Sequence, residues 1–302
     1  MEIGIVGLGR MGAGMARRLA RGGAHVICYD RSEEARKDLD GEAGIDCAEN
    51  LAALCARLSG ERLILVMLPA GAVEDTVRDL LPLCSSGDTV VDAGNSYYRD
   101  SMRRAMALSQ QGLRYIDAGV SGGVRGLEHG YCLMLGGTPR SIEIFEPFAR
   151  LLAADQDQGW LHCGPSGAGH YAKMIHNGIE YGMMQALAEG FALLAARPEL
   201  DIDAARLAQT WGHGSVVRSW LLELCGSILE ENEELEGVAP VIDDSGSGRW
   251  TALESIELGI PAPVITTALM ARFASQGRSD RANKLIAMMR QRFGGHPIHK
   301  RP

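Results

Sequence analysis

The segment Lys173-Met174-Ile175-His176-Asn177-Gly178-Ile179-Glu180-Tyr181 spaces its polar residues at intervals of three and four. At about 100° per residue, Lys173, His176, Asn177, Glu180 and Tyr181 fall within an arc of roughly 140° on one helix face, with Met174, Ile175, Ile179 and Met183 on the other side. An ammonium, an imidazole, an amide, a carboxylate and a phenol sharing one face can supply a base, an acid and orienting groups. Lys173 and Glu180 are about two turns apart, roughly 10 Å along the axis, so both can converge on neighbouring atoms of one bound molecule. The same spacing suits a plain solvated helix face. The elements around it decide between the two.

The N-terminal half supplies the first of those elements. Gly7-Leu8-Gly9-Arg10-Met11-Gly12 directly follows an apolar strand, Glu2 to Val6, and opens an Ala- and Arg-rich helical segment. Glycines in that context let the backbone approach a pyrophosphate at a helix N-terminus. Asp30 closes the second strand, where a carboxylate accepts hydrogen bonds from a ribose 2′-hydroxyl and repels a 2′-phosphate, so NAD is expected over NADP. Arg31 leaves NADP open, because its guanidinium can stack on adenine or turn toward a 2′-phosphate. Leu68-Pro69-Ala70, at the end of another apolar run, lies where such a sheet lines its cofactor cleft.

Short apolar runs alternate with helical patterns through this half: Glu2 to Val6, His25 to Tyr29, Leu63 to Leu68, Thr89 to Asp92, Arg114 to Asp117 and Tyr131 to Leu135. That rhythm predicts an α/β fold with a Rossmann-type, doubly wound, mostly parallel sheet. After Gly164-Pro165-Ser166-Gly167-Ala168-Gly169 it gives way to long helical stretches, Tyr171 to Leu194 and Pro263 to Phe273 among them. We therefore expect a dinucleotide-binding domain over residues 1–164 and an all-α substrate and oligomerisation domain over 165–302. Strand ends followed by small or polar residues mark a ligand crevice in such sheets. They place Asn95 between substrate and nicotinamide, and Ser121, Gly122 and Gly123 against a substrate carboxylate or hydroxyl. Each segment also reads as a tight turn.

Composition excludes other classes. A formal charge of −8 over 302 residues, with no basic run, argues against nucleic acid as partner. The seven cysteines, at 28, 47, 55, 84, 132, 163 and 225, are scattered along the chain and read as reduced thiols, not a disulfide frame or a metal site. The chain runs straight into its first strand without a leader pattern, and no segment has the length of a membrane span, so a soluble cytoplasmic protein is expected. The acidic run Glu230 to Glu236 reads as a solvated helix end or loop. The histidines at 25, 129, 162, 170, 213 and 299 read as structural or surface groups.

Taken together, GLGRMG, DAGNSYYRDS, DAGVSGGVRGLEHG, GPSGAGHYAKMIHNGIEYGMMQ, SGSGRWT and the terminal RQRFGGH cover nearly the full length. In these segments the chain resembles the decarboxylating 6-phosphogluconate dehydrogenases of the pentose phosphate pathway, in their short bacterial form. The resemblance implies that neutral Lys173 removes the 3-hydroxyl proton as hydride leaves C3 for nicotinamide, its pKa lowered by burial beside other cations. It further implies that protonated Lys173 assists loss of CO₂, that Glu180 protonates C1 of the product, and that no metal is required. Asn177 and His176 would orient the sugar, and Tyr181, Arg272, Arg290 and His296 would hold the phosphate. Arg290 and His296 would come from a C-terminal tail reaching into the neighbouring subunit of a homodimer or homotetramer. One departure stands out. Long members carry a phosphate-associated lysine four residues before the position of Arg249, and here that residue is Ser245. Two other readings compete: a hydroxyisobutyrate-type β-hydroxyacid dehydrogenase that does not decarboxylate, and a non-catalytic dinucleotide-binding redox sensor.

Overall fold

The computed structural model describes residues 1–294 and 297–299. The chain divides into two compact units, Met1–Ile175 and His176–Pro302. In the first, the described residues form one sheet of β1 (Glu2–Val6), β2 (His25–Tyr29), β3 (Ile45–Cys47), β4 (Leu63–Val66), β5 (Thr89–Asp92), β6 (Arg114–Ser121), β7 (Cys132–Gly137) and β8 (Trp160–Gly164). Their spatial order is β3-β2-β1-β4-β5-β6-β7-β8, and every pairing is parallel except β6 with β7. The first six strands thus follow the dinucleotide-fold order 3-2-1-4-5-6.

Helices α1 (Arg10–Arg21), α2 (Glu33–Lys37), α3 (Leu51–Arg57), α4 (Ala70–Leu80), α5 (Tyr98–Ser109), α6 (Gly126–His129) and α7 (Pro139–Leu152) connect the strands. Period-two alternation sends Ile3, Ile5, Val26 and Leu65 to one face, where Met15 and Leu19 of α1 and Phe145 and Phe148 of α7 cover them. Val6, Ile27, Ile64 and Val66 meet Leu54 of α3, Val73 and Val77 of α4 and Leu108 of α5 on the other. Two buried layers on opposite faces make the sheet doubly wound, as the apolar rhythm predicts.

Three strand assignments depart from the sequence reading. β3 has three residues with a polar Asp46 at its centre, and β8 is an edge strand with exposed Leu161, so neither shows an apolar run. β6 continues past Asp117 to Ser121 because antiparallel β7 pairs with it from Ile116 to Ser121. The segment expected to be a strand end plus loop is therefore strand as far as Ser121.

The second unit is helical throughout its described residues, apart from loops. It comprises the C-terminal part of α8 (Ala168–Ala195), then α9 (Ala204–Gly212), α10 (Trp220–Glu231), α11 (Ser247–Leu258), α12 (Pro263–Ser275) and α13 (Asp280–Gly294). α8 is 28 residues long, yet no described helix is both long and apolar enough to cross a membrane. The compact units divide within α8, at residues 175/176, whereas the sequence reading set the division at 164/165.

The packing of α8 differs from a polar face set against an apolar one. In the second unit Gly178, Tyr181 and Gly182 are the buried positions, while Ile179 and Met183 are 51% and 41% exposed. The two glycines form the packing notch: a Cβ on Gly178 would come 2.7 Å from Thr251 Cγ2 of α11, and one on Gly182 would come 3.2 Å from Val264 Cγ1 of α12.

Two buried aspartates stand in register on β5 and β6, Asp92 opposite Asp117. Asp92 Oδ2 accepts from Tyr115 Oη at 2.9 Å, Ser96 Oγ at 2.9 Å and Arg104 Nη1 at 3.1 Å. Burial, with Asp92 beside it, pushes the Tyr115 hydroxyl well above its ordinary range, so it remains a donor. Removing Asp92 takes from the buried Arg104 guanidinium its buried carboxylate and leaves it the half-exposed Glu74 carboxylate and the Ser96 hydroxyl. Asp92→Ala should cost about 3–5 kcal/mol of stability in urea denaturation, with much of the loss recovered in Asp92→Ala/Arg104→Met; equal loss in the single and double variants would contradict this account.

Candidate active site

At the carboxyl end of β1, Gly7 turns the chain at φ +99° and donates its N–H to Tyr29 O at 2.8 Å. α1 starts at Arg10 without a side-chain cap, so the first-turn N–H groups around Arg10, Met11 and Gly12 point out of the helix end. A Cβ on Gly12 would strike Gly7 O, whereas one on Gly9 would meet nothing within 4 Å. The first glycine contact is structural; the space at the second is a cradle for an anion at the positive end of a helix.

Asp30 Oδ2 accepts from Leu8 N at 2.7 Å and Oδ1 from Ser32 N at 2.8 Å. The carboxylate is thus fixed to the glycine turn at the end of β2, and Arg31 beside it is exposed. Met67 N donates to Val6 O and Ala93 N to Val66 O, each at 2.8 Å. These bonds align Gly7, Leu68, Pro69, Ala70 and the Ala93-to-Ser96 loop along one carboxyl edge of the sheet. The donor set, the glycine cradle and the carboxylate fit a dinucleotide.

The Asp92 network acts on this edge. Asp92 Oδ1 accepts from Gly94 N at 3.1 Å and Oδ2 from Ser96 Oγ, which brackets Asn95 and holds it exposed at the tip of its loop. After β6, Gly122 and Gly123 take φ +123° and +54°, so the chain turns sharply just beyond Ser121.

Asp117 fixes the start of α8. Its Oδ1 accepts from Gly167 N at 2.6 Å and its Oδ2 from His170 N at 2.9 Å, while His170 Nδ1 shares a 2.7 Å hydrogen bond with Ser101 Oγ. A carboxylate at a helix N-terminus satisfies N–H groups that have no intrahelical acceptor. Glycines let the helix sit this close: a Cβ on Gly136 would come 2.7 Å from Gly169 N, and one on Gly119 would overlap the Cβ of Lys173. Lys173 is thereby seated against β6, two residues before Ser121 in the strand, and is half-buried.

In the second unit, His176 Nδ1 lies 3.1 Å from Asn177 Oδ1 and 3.8 Å from Glu180 Oε2. Tyr181 is 5% exposed, and its hydroxyl is 3.4 Å from Asp244 Oδ1 and 3.3 Å from Ser245 Oγ. The Arg272 guanidinium stacks 3.6 Å from the Tyr181 ring centroid and donates to Asp243 O at 2.9 Å. Arg249 chelates Asp244 Oδ2 at 2.9 and 2.6 Å. The phosphate group expected from the sequence is thus brought together in part. Tyr181 and Arg272 are in contact, with Ser245 on the loop before α11 and Arg249 in the first turn of that helix; Arg290 is exposed on α13, and His296 lies outside the described residues.

Asp92, Arg104, Asp117, Asp244 and Ser101 escaped the sequence reading as site residues. One signal was present: the tripeptide Asp-Ala-Gly occurs twice, at 92–94 and 117–119, each closing or interrupting an apolar strand with a charge.

A model of the NAD binding domain of 6-phosphogluconate dehydrogenase matches residues 2–163, and a model of the C-terminal domain of 6-phosphogluconate dehydrogenase matches residues 169–297. The chain belongs to the 6-phosphogluconate dehydrogenase family. It is 40% identical over 303 residues to the NAD(+)-dependent, decarboxylating 6-phosphogluconate dehydrogenase of Haloferax volcanii, covering 100% of this chain and 99% of that one. The enzyme of the same name from Bacillus subtilis is 35% identical over 295 residues, and there this 6-phosphogluconate dehydrogenase homologue spans 62% of a longer chain. Among solved structures, Plasmodium falciparum 6-phosphogluconate dehydrogenase, determined in its apo form, with NADP+ and with 6-phosphogluconate, superposes with a TM-score of 0.83 at 26% identity. That match covers 100% of this chain and 67% of the other.

Burial pushes the Asp244 carboxyl up, but the Gly246 N–H, Arg249 and Tyr181 outweigh it and hold its pKa below the ordinary value. A depressed folded-state pKa gives stabilisation that is complete above about pH 3.9 and lost as pH falls through the lower, folded value. In Arg249→Met that loss should move to higher pH, read as an upward shift of the Asp244 carboxyl titration by NMR; an unmoved titration would show that Arg249 is not what holds it down.

Proposed function

We propose that this chain catalyses oxidative decarboxylation of 6-phosphogluconate to ribulose 5-phosphate and CO₂, with NAD preferred as electron acceptor. The observation that carries this reading is α8, a single helix that bears Lys173 on turns anchored to the dinucleotide-binding sheet and Glu180 two turns further on. The full-length match to an enzyme named for that reaction supports it.

When bound, the nicotinamide dinucleotide accepts the hydride from C3. Lys173, neutral in the substrate complex, removes the proton of the 3-hydroxyl. The new 3-carbonyl is an electron sink for the bond to the departing carboxylate, and protonated Lys173 donates to its oxygen as the enediol forms. Lys173 then takes the enediol hydroxyl proton back while Glu180 delivers a proton to C1 of the pentulose. Ser121, Gly122 and Gly123 hold the substrate carboxylate end, Asn95 spans substrate and nicotinamide, and His176 and Asn177 orient the sugar hydroxyls. Tyr181 and Arg272 take the phosphate, with Arg290 and His296 from a second copy. Ser245, standing where long members carry lysine, keeps a hydroxyl in this set but no charge.

NAD is favoured because the Asp30 carboxylate is fixed at the end of β2, where a 2′-phosphate would meet a negative charge. A second copy is favoured by what the helical unit leaves uncovered. Among the described residues, all but five of the large apolar residues that are exposed lie beyond residue 175, including Leu193 at 72%, Val216 at 101%, Ile256 at 75% and Val264 at 67%. Apolar surface on that scale marks an association face, and we assign it to a homodimer or homotetramer.

Reduced nicotinamide and CO₂ should appear in equal amounts with 6-phosphogluconate, with kcat/KM for NAD exceeding that for NADP. Reduction without CO₂ would return the hydroxyisobutyrate-type reading, and a tenfold advantage for NADP would refute the role of Asp30. Lys173→Met should abolish turnover while dinucleotide binding persists. Gly119→Ala, which displaces the Lys173 backbone, should lower kcat by about a hundredfold, the cost of a misplacement near 1 Å. Truncation after Met289 should abolish turnover without unfolding the first unit; full activity would refute the contribution of the tail.

A further inference from the structure

Some of the cysteines that are scattered in sequence are neighbours in space. Cys28 on β2 and Cys47 on β3 are register partners in neighbouring parallel strands, and both pack into the same core layer. Neighbouring strands place paired Cα atoms about 4.8 Å apart, inside the range of about 4.4–6.8 Å that a disulfide spans. Both are free thiols, Cys28 fully buried and Cys47 half-buried. The backbone of Cys47 is fixed, its N–H donating to Asp40 Oδ1 and its carbonyl accepting from Arg57 Nη1.

We propose that Cys28 and Cys47 form an oxidisable dithiol, a modification site for hydroperoxides, whose disulfide weakens binding at the adjacent dinucleotide site.

The two thiols have different roles. The Cys28 S–H, directed at Cys47, holds the Cys47 thiol below its ordinary range against burial, while Cys47 and burial push Cys28 up. The accessible member is therefore the better thiolate. Cys47 thiolate attacks the distal oxygen of the hydroperoxide, the O–O bond breaks, and the leaving alkoxide takes a proton to become an alcohol. The resulting Cys47 sulfenic acid is attacked by Cys28 sulfur, the S–S bond forms, and the Cys28 proton leaves with the hydroxide as water. Two electrons pass from the thiols to the peroxide. A second thiol pair, Cys55 and Cys84, lacks this arrangement: its lower-pKa member, Cys55, is itself only 3% exposed.

A hydrogen-bond chain links the pair to the cofactor end. Cys47 Sγ donates to Arg36 O at 3.3 Å, and Arg36 Nη1 donates to Asp30 O at 2.6 Å. Asp30 follows Cys28 by two residues, just past the end of β2. Oxidation removes the Cys47 proton, so Arg36 O loses its donor and the short helix α2 loses a tie to the sheet. This second half of the proposal rests on the reading of Asp30 as a ribose ligand.

The test treats the reduced full-length protein with hydrogen peroxide, blocks remaining thiols by alkylation, and maps tryptic peptides. The expected result is a dithiothreitol-reversible cross-link between the Cys28 and Cys47 peptides, lost in Cys47→Ser. The dissociation constant for NAD should rise about fivefold with it, the worth of one hydrogen bond. Recovery of both cysteines as alkylated thiols, a cross-link confined to Cys55 and Cys84, or Cys47 as sulfinic acid without a cross-link would overturn the dithiol. A Cys28–Cys47 cross-link with unchanged NAD affinity would overturn the coupling; Asp30→Ala, measured alongside, separates that result from a mistaken assignment of Asp30.

Discussion

Charge buried at the end of β5 and midway along β6 is the constraint on which the rest of the site hangs. Asp92 and Asp117 face each other in register, each out of contact with solvent, and a buried carboxylate persists only if donors surround it. The donors are supplied by chain segments that have little other reason to sit where they do. Asp92 draws in the Asn95 loop, Tyr115 and Arg104. Asp117 draws in Gly167 and His170, which are the start of α8. Satisfying two charges therefore positions an exposed amide at the end of one strand and a lysine-bearing helix against the middle of the next. Loop placement is dictated from inside the sheet, not by contacts at the surface.

Much of this was legible in the residues. A period of two in Ile3 and Ile5, a glycine turn straight after that strand, and an aspartate closing the next were enough to place the dinucleotide end and the sheet around it. The long helix with its polar stripe was equally readable, since Lys173 and Glu180 need only regular helix geometry to share a face. What the sequence hid depends on tertiary partners. β3 and β8 lack an apolar run because one is three residues long and the other is an edge. β6 extends past Asp117 only because β7 runs back along it. Tyr181 sits on the polar stripe but is buried, because the glycine notch at Gly178 and Gly182 turns that side of α8 toward α11 and α12. No local pattern announces such a notch, since glycine in a helix usually signals only weakness.

The helical unit is organised differently from the sheet unit. Its tightest described cluster is small, Tyr181, Ala252, Ala268 and Leu269 with Met184 and Phe273 against them, and much of its apolar side-chain area stays outside any core. The loop from Asp243 to Gly246 and the first turn of α11 meet Tyr181 and hold Arg249 and Arg272 there through Asp244 and the Asp243 carbonyl. Tyr181 is therefore surrounded by polar contacts as well as by apolar neighbours, and the titration of Asp244 reports on those contacts.

The overlap between Gly119 and Lys173 has a genetic consequence. All glycine codons share their first two bases, so every change at either base of codon 119 ends glycine and installs a Cβ, or a chain stop, where the Lys173 Cβ already lies. Only the third base is free to drift. A strand residue with no side chain and no charge is thus constrained by the lysine it makes room for.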